Sequence, residues 1–279
     1  MQQRRLADLT VSAIGLGAMP LSVQGRPDEP QAMRTAHAGV TLIDTADAYS
    51  VGHDDVGHNE RLVAKALATW GGDASQVLVA TKGGHTRPPD GSWALDGSPQ
   101  HLRAACEASL QALGVEAIGL YQYHRPDPGV PYAESLGALE ELRQEGKVRL
   151  VGISNADVDQ IELALATTQL AAVQNEFSPA FRSSRPELEL CARHGIAFLP
   201  WSPLGGATRA AGLGREHAAF AEVAAERGVS PQQVALAWEL AQADVVIPIP
   251  GARRSASILD SVAACDLELT VDELARLAA

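Results

Sequence analysis

The chain has 279 residues, 46% hydrophobic and 20% charged, an ordinary globular composition that excludes disorder or a collagen-like repeat as a whole-chain description. At about 150 residues per domain the length suggests two domains, but an α/β barrel of this size forms one, and a single domain over 1–279 is the expectation. The net charge of −12, from 34 acidic and 22 basic residues, repels a phosphate backbone on average, so nucleic acid is not an expected partner, although a local basic pocket for a small phosphate is compatible with it.

Arg4 and Arg5 lead into LADLTVSAIGLGAM, which imitates a signal peptide. Asp8 interrupts the apolar stretch and no small-x-small cleavage site follows, so secretion is not expected. The β pattern of Arg4–Val11 around Ala7-Asp8 reads as a small hairpin plugging one end of a barrel. Eight short apolar runs then follow: Ala13–Gly17, Thr41–Asp44, Val77–Thr81, Ile118–Tyr123, Leu150–Ile153, Ala171–Gln174, Ala197–Trp201 and Val245–Ile249. They are apolar on both faces, as strands of a parallel sheet covered on two sides should be.

Segments of helical pattern separate the runs. The first, Asp28–His37, is short. His101–Leu113 sets Leu102, Ala105, Cys106, Leu110 and Leu113 near one stripe, and Tyr132–Glu145 does the same with Leu136, Leu139 and Leu142. Ser98-Pro99 and Ser230-Pro231 read as N-caps followed by Pro at the first helical position. Gly114, Gly146 and Gly195 stand where helices should end. Gly205–Gly214 reads as a Gly/Ala-rich loop, expected to be the most mobile segment.

Strand then helix, eight times over, is the pattern of a (β/α)8 TIM barrel, closed at the bottom by the N-terminal hairpin. The competing doubly wound open sheet would announce a dinucleotide with GxGxxG. Here Gly15-x-Gly17 is followed by Pro20 in place of the third Gly, so the fingerprint fails and the pair reads as a turn. No apolar run reaches the roughly 18 residues of a membrane span. Cys106, Cys191 and Cys265 are widely spaced and odd in number, which suggests reduced, buried thiols in a cytoplasmic protein. Aromatic residues make up 4% and form no interface stripe, so a monomer is the default expectation.

Barrel enzymes carry their chemistry at the C-terminal ends of the strands. The second run ends in Asp44, the third leads into Lys82 and the fourth into His124, with Tyr49 five residues beyond Asp44. Singly, each has a plain alternative: Asp44 capping a turn, Lys82 solvated, His124 satisfied within its loop. Jointly they make chemical sense. Asp44 would hold Lys82 charged, and the ammonium would lower the pKa of the Tyr49 phenol from about 10. Tyr49 could then give a proton to a carbonyl oxygen or take one from an alcohol, while a neutral His124 orients that oxygen. His53, Asp54, Asp55 and His58 match no standard zinc spacing, and no metal is expected. Trp93, in the loop after Lys82, could form a substrate wall or pack on the barrel.

The pieces IDTADAY, ATKGG, YQYHRPD, GISN, VQNEFSP, WSPLGG and IPIPG, in this order, resemble the aldo-keto reductases over nearly the whole chain. The resemblance implies a catalytic tetrad of Asp44, Tyr49, Lys82 and His124, with Tyr49 as general acid and base. It implies an extended nicotinamide cofactor, NADPH with NADH not excluded. Ser154, Asn155 and Gln174 would bind the carboxamide, Trp201 would stack on the ring, and Ser202, Pro203, Leu204 and Gly205 would follow the pyrophosphate. Gly17, Ala18 and Met19 would flank the nicotinamide ribose, Ala18 replacing a frequent Thr. Pro250-Gly251-Ala252-Arg253-Arg254 would form the adenosine-phosphate segment, with the pair Arg253 and Arg254 as a 2′-phosphate clamp. Asp260 falls where Glu often faces the adenine. Ser257 and Ser261 replace an Arg, Lys or Gln and an Asn respectively, which bears on NADPH against NADH. The first helix looks about one turn short for the family. The implied reaction is reduction of a small-molecule aldehyde or ketone, with Tyr49, His124 and Trp93 at the substrate. The same site run backwards would be an alcohol or sugar dehydrogenase. A low-turnover nucleotide sensor is the reading from another class.

Overall fold

The computed structural model describes residues 1–206 and 208–278. The chain opens with an antiparallel hairpin, β1 (Gln3–Leu6) and β2 (Leu9–Ser12), turned at Ala7 with a left-handed φ of 53°. Alternation then begins with β3 (Leu16–Gly17), α1 (Glu29–Ala36), β4 (Leu42–Asp44), α2 (His58–Thr69) and β5 (Leu78–Gly83). A small antiparallel pair, β6 (His85–Thr86) and β7 (Ala94–Leu95), follows β5. Alternation resumes with α3 (Pro99–Leu113), β8 (Ile118–Tyr123), α4 (Tyr132–Gln144), β9 (Val148–Ser154), α5 (Val158–Thr167), β10 (Leu170–Gln174), α6 (Arg185–His194) and β11 (Ala197–Phe198). The rest is helical: α7 (Leu213–Glu216), α8 (Ala218–Arg227), α9 (Pro231–Leu240), α10 (Ser255–Ala263) and α11 (Val271–Ala278).

The helix boundaries follow from side-chain chemistry. Asp28, Ser98, Asp157 and Ser230 each accept a hydrogen bond from the backbone N–H three residues on, a cap worth about 1 kcal/mol. Gly114 and Gly195 end α3 and α6 in the left-handed conformation, at φ 68° and 67°, and Gly146 does so just past α4. α1 has eight residues, little more than two turns, as its short apolar pattern suggested. The Gly205–Gly214 segment is less of a loop than expected. Ala210–Gly212 forms a 3-10 turn leading into α7, and Arg209 is paired to Glu216 at 2.6 Å; Ala207 lies outside the described residues.

Seven strands pair in parallel in the order β3-β4-β5-β8-β9-β10-β11. The eighth run, Val245–Ile249, is not a regular strand, because Pro248 and Pro250 have no N–H to offer a ladder. Their carbonyls still accept from Gly15 (2.9 Å) and Gly17 (3.0 Å), while Ile247 donates to Phe198 (2.9 Å) and Ile249 to Pro200 (3.1 Å). Isolated parallel bridges join Val246 to Phe198 and Gly251 to Gly17. The eighth position therefore ties β11 to β3, and the fold is a (β/α)8 barrel. A Cβ on Gly17 would meet the Ile249 carbonyl oxygen at 2.7 Å, so the close approach at this seam requires glycine there.

Alternation along the strands sorts the side chains. Leu42, Leu78, Ala80, Leu120, Ala172 and Ile249 share one interior cluster with Leu6 and Val11 of the hairpin. The hairpin thus plugs the bottom of the barrel with two side chains, each stabilising by about 1.5–3 kcal/mol on burial. Tyr121, Tyr123, Val151 and Val173 face outward into the cluster beneath the helices. Cys106, Cys191 and Cys265 are free and buried, and burial pushes the Cys106 and Cys191 thiols up to about 12. None of the described helices is long and apolar enough to cross a membrane.

Candidate active site

The same period of two builds the site. With Leu42 inward, Asp44 is inward; with Leu78 and Ala80 inward, so is Lys82; with Leu120 inward, Gln122 follows. Ser154 and Gln174 close β9 and β10 in the same way, and all five are buried. They gather at the C-terminal ends of the strands, where apolar layers give way to polar groups.

Lys82 is the centre. Its ammonium, fully buried, donates to Asp44 Oδ2 (2.7 Å), the Thr45 carbonyl (2.8 Å) and the Tyr49 hydroxyl (3.0 Å). The other Asp44 oxygen accepts from Gln174 (2.7 Å) and Gln122 (3.3 Å). Burial opposes the Lys82 charge, but the fields and hydrogen bonds of Asp44 and Tyr49 outweigh it, and its pKa lies above the usual lysine value. Behind this layer sit two more buried acids. Burial, then the neighbouring Glu60, pushes Asp47 well above the carboxylate range; burial raises Glu60 despite a 2.5 Å hydrogen bond from Thr81.

The expected acidic phenol is not what the environment produces. Burial is the largest influence on Tyr49 and pushes its pKa up; the Lys82 field and hydrogen bond pull it down, Asp44 and Asp47 push it up again, and the outcome is above 10. The sequence showed the ammonium but not the desolvation. Tyr49 therefore rests protonated.

His124 stands edge-on to Tyr49, ring centroids 5.6 Å apart, and edge-on to His85 at 4.3 Å. Burial, then the positive fields of Lys82, His85 and Arg125, holds it well below the usual histidine value, so it is neutral. Its Nδ1 is buried without a hydrogen-bond partner. A buried N–H without an acceptor costs about 1–3 kcal/mol, so the proton belongs on Nε2.

These groups open into a cleft of about 330 Å³. Asp44, Tyr49, His124 and Trp93 line it, with Gly17, Met19, Ser154, Asn155, Gln174, Trp201, Ser202, Pro203, Leu204 and Gly251. All were singled out in the sequence. Pro250 lines it too, as do Gly206, Ile249, His85 and Arg125; sequence reading did not single out these last four. His85 follows directly from the strand-end rule, being the first residue after Gly83-Gly84, and Gln122 from the inward alternation of β8. Among the described residues, three non-glycines have positive φ; two of them, Asn155 (59°) and Ser202 (50°), line the cleft, where backbone strain tends to be kept for function. Asn155 donates to the His124 carbonyl and to Ser154 Oγ, both at 2.9 Å, and Ser154 donates to the Gln174 carbonyl at 2.7 Å.

Of the expected cofactor residues, Ala18, Gly205, Arg253, Arg254, Ser257, Asp260 and Ser261 do not line the cleft, and neither does the fully buried Lys82. Ala18 is buried beneath it. Gly205 supports the loop by donating to the Ser202 carbonyl at 2.8 Å. Arg253 is exposed, with one long bond to the Gln24 carbonyl at 3.4 Å. Ser261 is buried and bonds back to the Ser257 carbonyl one helical turn away, at 3.0 Å. Asp260 is turned to the start of α9, accepting from Ser230 (2.8 Å) and Gln233 (2.6 Å). In the stretch weighed as a metal site, His53 bonds the Arg87 carbonyl, His58 bonds Ser22 and Asp55 pairs with Arg26.

The comparisons with known proteins make this barrel an oxidoreductase. The model of the aldo/keto reductase family matches residues 13–279, and the chain belongs to that family. It is 32% identical, over 98% of its length and 88% of the relative's, to an uncharacterised oxidoreductase of Schizosaccharomyces pombe. Among solved structures it resembles a glycerol dehydrogenase from Gluconobacter oxydans, with a TM-score of 0.84 and 28% identity over 99% of this chain and 94% of that one. It also resembles an aldo/keto reductase from Klebsiella pneumoniae in complex with NADP and acetate, with a TM-score of 0.77 and 27% identity over 96% and 90%.

Proposed function

We propose that this protein reduces an aldehyde or ketone to an alcohol with NADPH, using Tyr49 as the acid. The observation that carries the reading is the buried hydrogen-bonded chain from Asp44 through Lys82 to the Tyr49 hydroxyl, opening on the cleft beside His124. The cleft residues fit an extended dinucleotide. Ser154, Asn155 and Gln174 cluster polar groups at one point, Trp201 offers an aromatic face, and Gly206 takes a left-handed φ of 87° where its backbone lines the groove. The relative with bound NADP supports the same assignment. Arg253, exposed and weakly tied, is the cation that would meet a 2′-phosphate.

Ser154, Asn155, Gln174 and Trp201 would hold a reduced nicotinamide, which when bound would supply hydride to the carbonyl carbon. The chain's own groups handle the oxygen. His124 donates from Nε2 and orients it. Tyr49 delivers its proton to the oxygen as negative charge develops there, and Lys82 stabilises the phenolate left behind. Asp44 keeps Lys82 charged and fixed. Run in reverse, the same groups take a proton from an alcohol, which suits the relative named a glycerol dehydrogenase.

The test is Tyr49→Phe. Carbonyl reduction should fall by about 100- to 10,000-fold, the usual contribution of a positioned acid, while NADPH still quenches protein fluorescence with nearly wild-type affinity. Wild-type turnover in this variant would remove Tyr49 from the role.

A further inference from the structure

Arg125 lines the reaction cleft one residue past His124, and nothing in the chemistry above uses it. Its guanidinium makes one side-chain hydrogen bond, to the amide oxygen of Asn155 at 3.0 Å. Among the described residues it forms no ion pair. Glu176 is close enough to feel its field yet stays outside bonding distance.

The rest of the cleft wall is electrically quiet around it. Asp44 is neutralised by Lys82. His85 and His124 are both held below the usual histidine value, chiefly by burial and partly by the Arg125 field itself. Arg125 is thus the one uncompensated charge among the described residues that line the cleft. It sits in a chain of net charge −12, whose average field would select against anions. A planar guanidinium with free N–H groups matches a carboxylate in a two-point hydrogen bond.

We infer that the substrates of this site are carbonyl compounds carrying a carboxylate, oxo-acids whose acid group is held by Arg125 while the carbonyl lies at Tyr49 and His124. This rests on the carbonyl-reductase reading above. The carboxylate is a handle and does not react: the hydride and the Tyr49 proton both go to the carbonyl, and the product is a hydroxy-acid.

The experiment compares 4-oxobutanoate with its methyl ester, which keeps the aldehyde and removes the charge. The ratio of kcat/KM for acid over ester is measured in the wild type, Arg125→Gln and Arg125→Lys, so that any general damage to cofactor binding through Asn155 cancels within each variant. The wild type should favour the acid by about 10- to 100-fold, the worth of a hydrogen-bonded charge pair. Arg125→Gln should bring the ratio near one and Arg125→Lys should restore part of it. Added salt should lower the rate with the acid more than with the ester. A wild-type ratio near one, or a ratio unmoved by Arg125→Gln, overturns the inference while leaving carbonyl reduction intact. If the wild type reduces neither compound nor any simple aldehyde, the carbonyl-reductase reading fails and this inference with it.

Discussion

Lys82 holds the Tyr49 hydroxyl at 3.0 Å with the last of its three ammonium hydrogens, the other two being spent on Asp44 and on the Thr45 carbonyl. A lysine with every donor used in a buried site cannot swivel, so the phenol is located by a fixed tripod. Lys82→Met should remove the tripod and leave Asp44 buried without its counter-charge. Breaking a buried pair from one side costs about 3–5 kcal/mol, so the variant should melt well below the wild type and reduce carbonyls at least about 100-fold more slowly. Thermal melting and steady-state rates check both; an active, equally stable variant would mean the pair is incidental.

The pH profile follows from two opposite displacements. If Tyr49 is the acid as proposed, reduction needs it protonated, and its pKa is raised above 10 by burial, so the acid is lost only on the alkaline side of that value. It also needs His124 neutral, and its pKa is pushed well below 6.5 by burial and by Lys82, so protonation interferes only well on the acid side. Reduction measured as kcat/KM should therefore be flat between about pH 6.5 and 9.5. A limb centred near pH 8 that vanishes in Tyr49→Phe would show the phenol to be acidic after all.

Glu239 lies on α9, fully buried, with neither carboxylate oxygen hydrogen-bonded. Burial raises its pKa well above the carboxylate range. The sign is then fixed: below the unfolded-state pKa, near 4.3, both states hold the proton, and as pH rises the unfolded chain releases it first, so stability falls until the folded pKa is reached. Glu239→Leu should stabilise the protein at pH 7 by about 1–3 kcal/mol, raising Tm by several degrees, with the gain shrinking toward pH 4. A loss of stability, or a gain independent of pH, would contradict this.

Trp93 stands edge-on to His85 at 5.5 Å, and His85 edge-on to His124 at 4.3 Å. The buried Arg87 guanidinium lies 4.2 Å from the centre of the Trp93 ring and donates to the Val51 carbonyl at 3.0 Å. Trp93 is thereby braced as a wall of the cleft although nearly half exposed. A cation–π contact is worth about 0.5–2 kcal/mol. Arg87→Met should loosen the wall and raise KM for carbonyl substrates about 2- to 30-fold, with kcat changing far less. Equal losses in kcat and kcat/KM would place Arg87 nearer the chemistry.

The barrel was legible because its signals are repetitive. Apolar runs that end in Asp44 or lead into Lys82 and His124 announce both the strand and the end where the buried polar groups gather. What escaped was either too short or too dependent on surroundings. β6 and β7 have two residues each, so His85-Thr86 and Ala94-Leu95 show no periodicity. The run Val245–Ile249 has the apolarity of a strand, but its prolines prevent the ladder. The Tyr49 shift depends on desolvation, which no spacing reveals. Asp260 has a plausible register for a nucleotide, yet its carboxylate is tied to Ser230 and Gln233 across a helix contact that local sequence does not encode.

The seam between Gly15–Gly17 and Val245–Gly251 has a further consequence for how the molecule behaves when it breathes. If the ring parts there, one of the two exposed margins presents Pro248 and Pro250, residues with no N–H to template another chain. A barrel that opens at this stitch offers a poor landing place for a foreign strand, so transient opening should lead back to the closed ring and away from sheet-to-sheet aggregation.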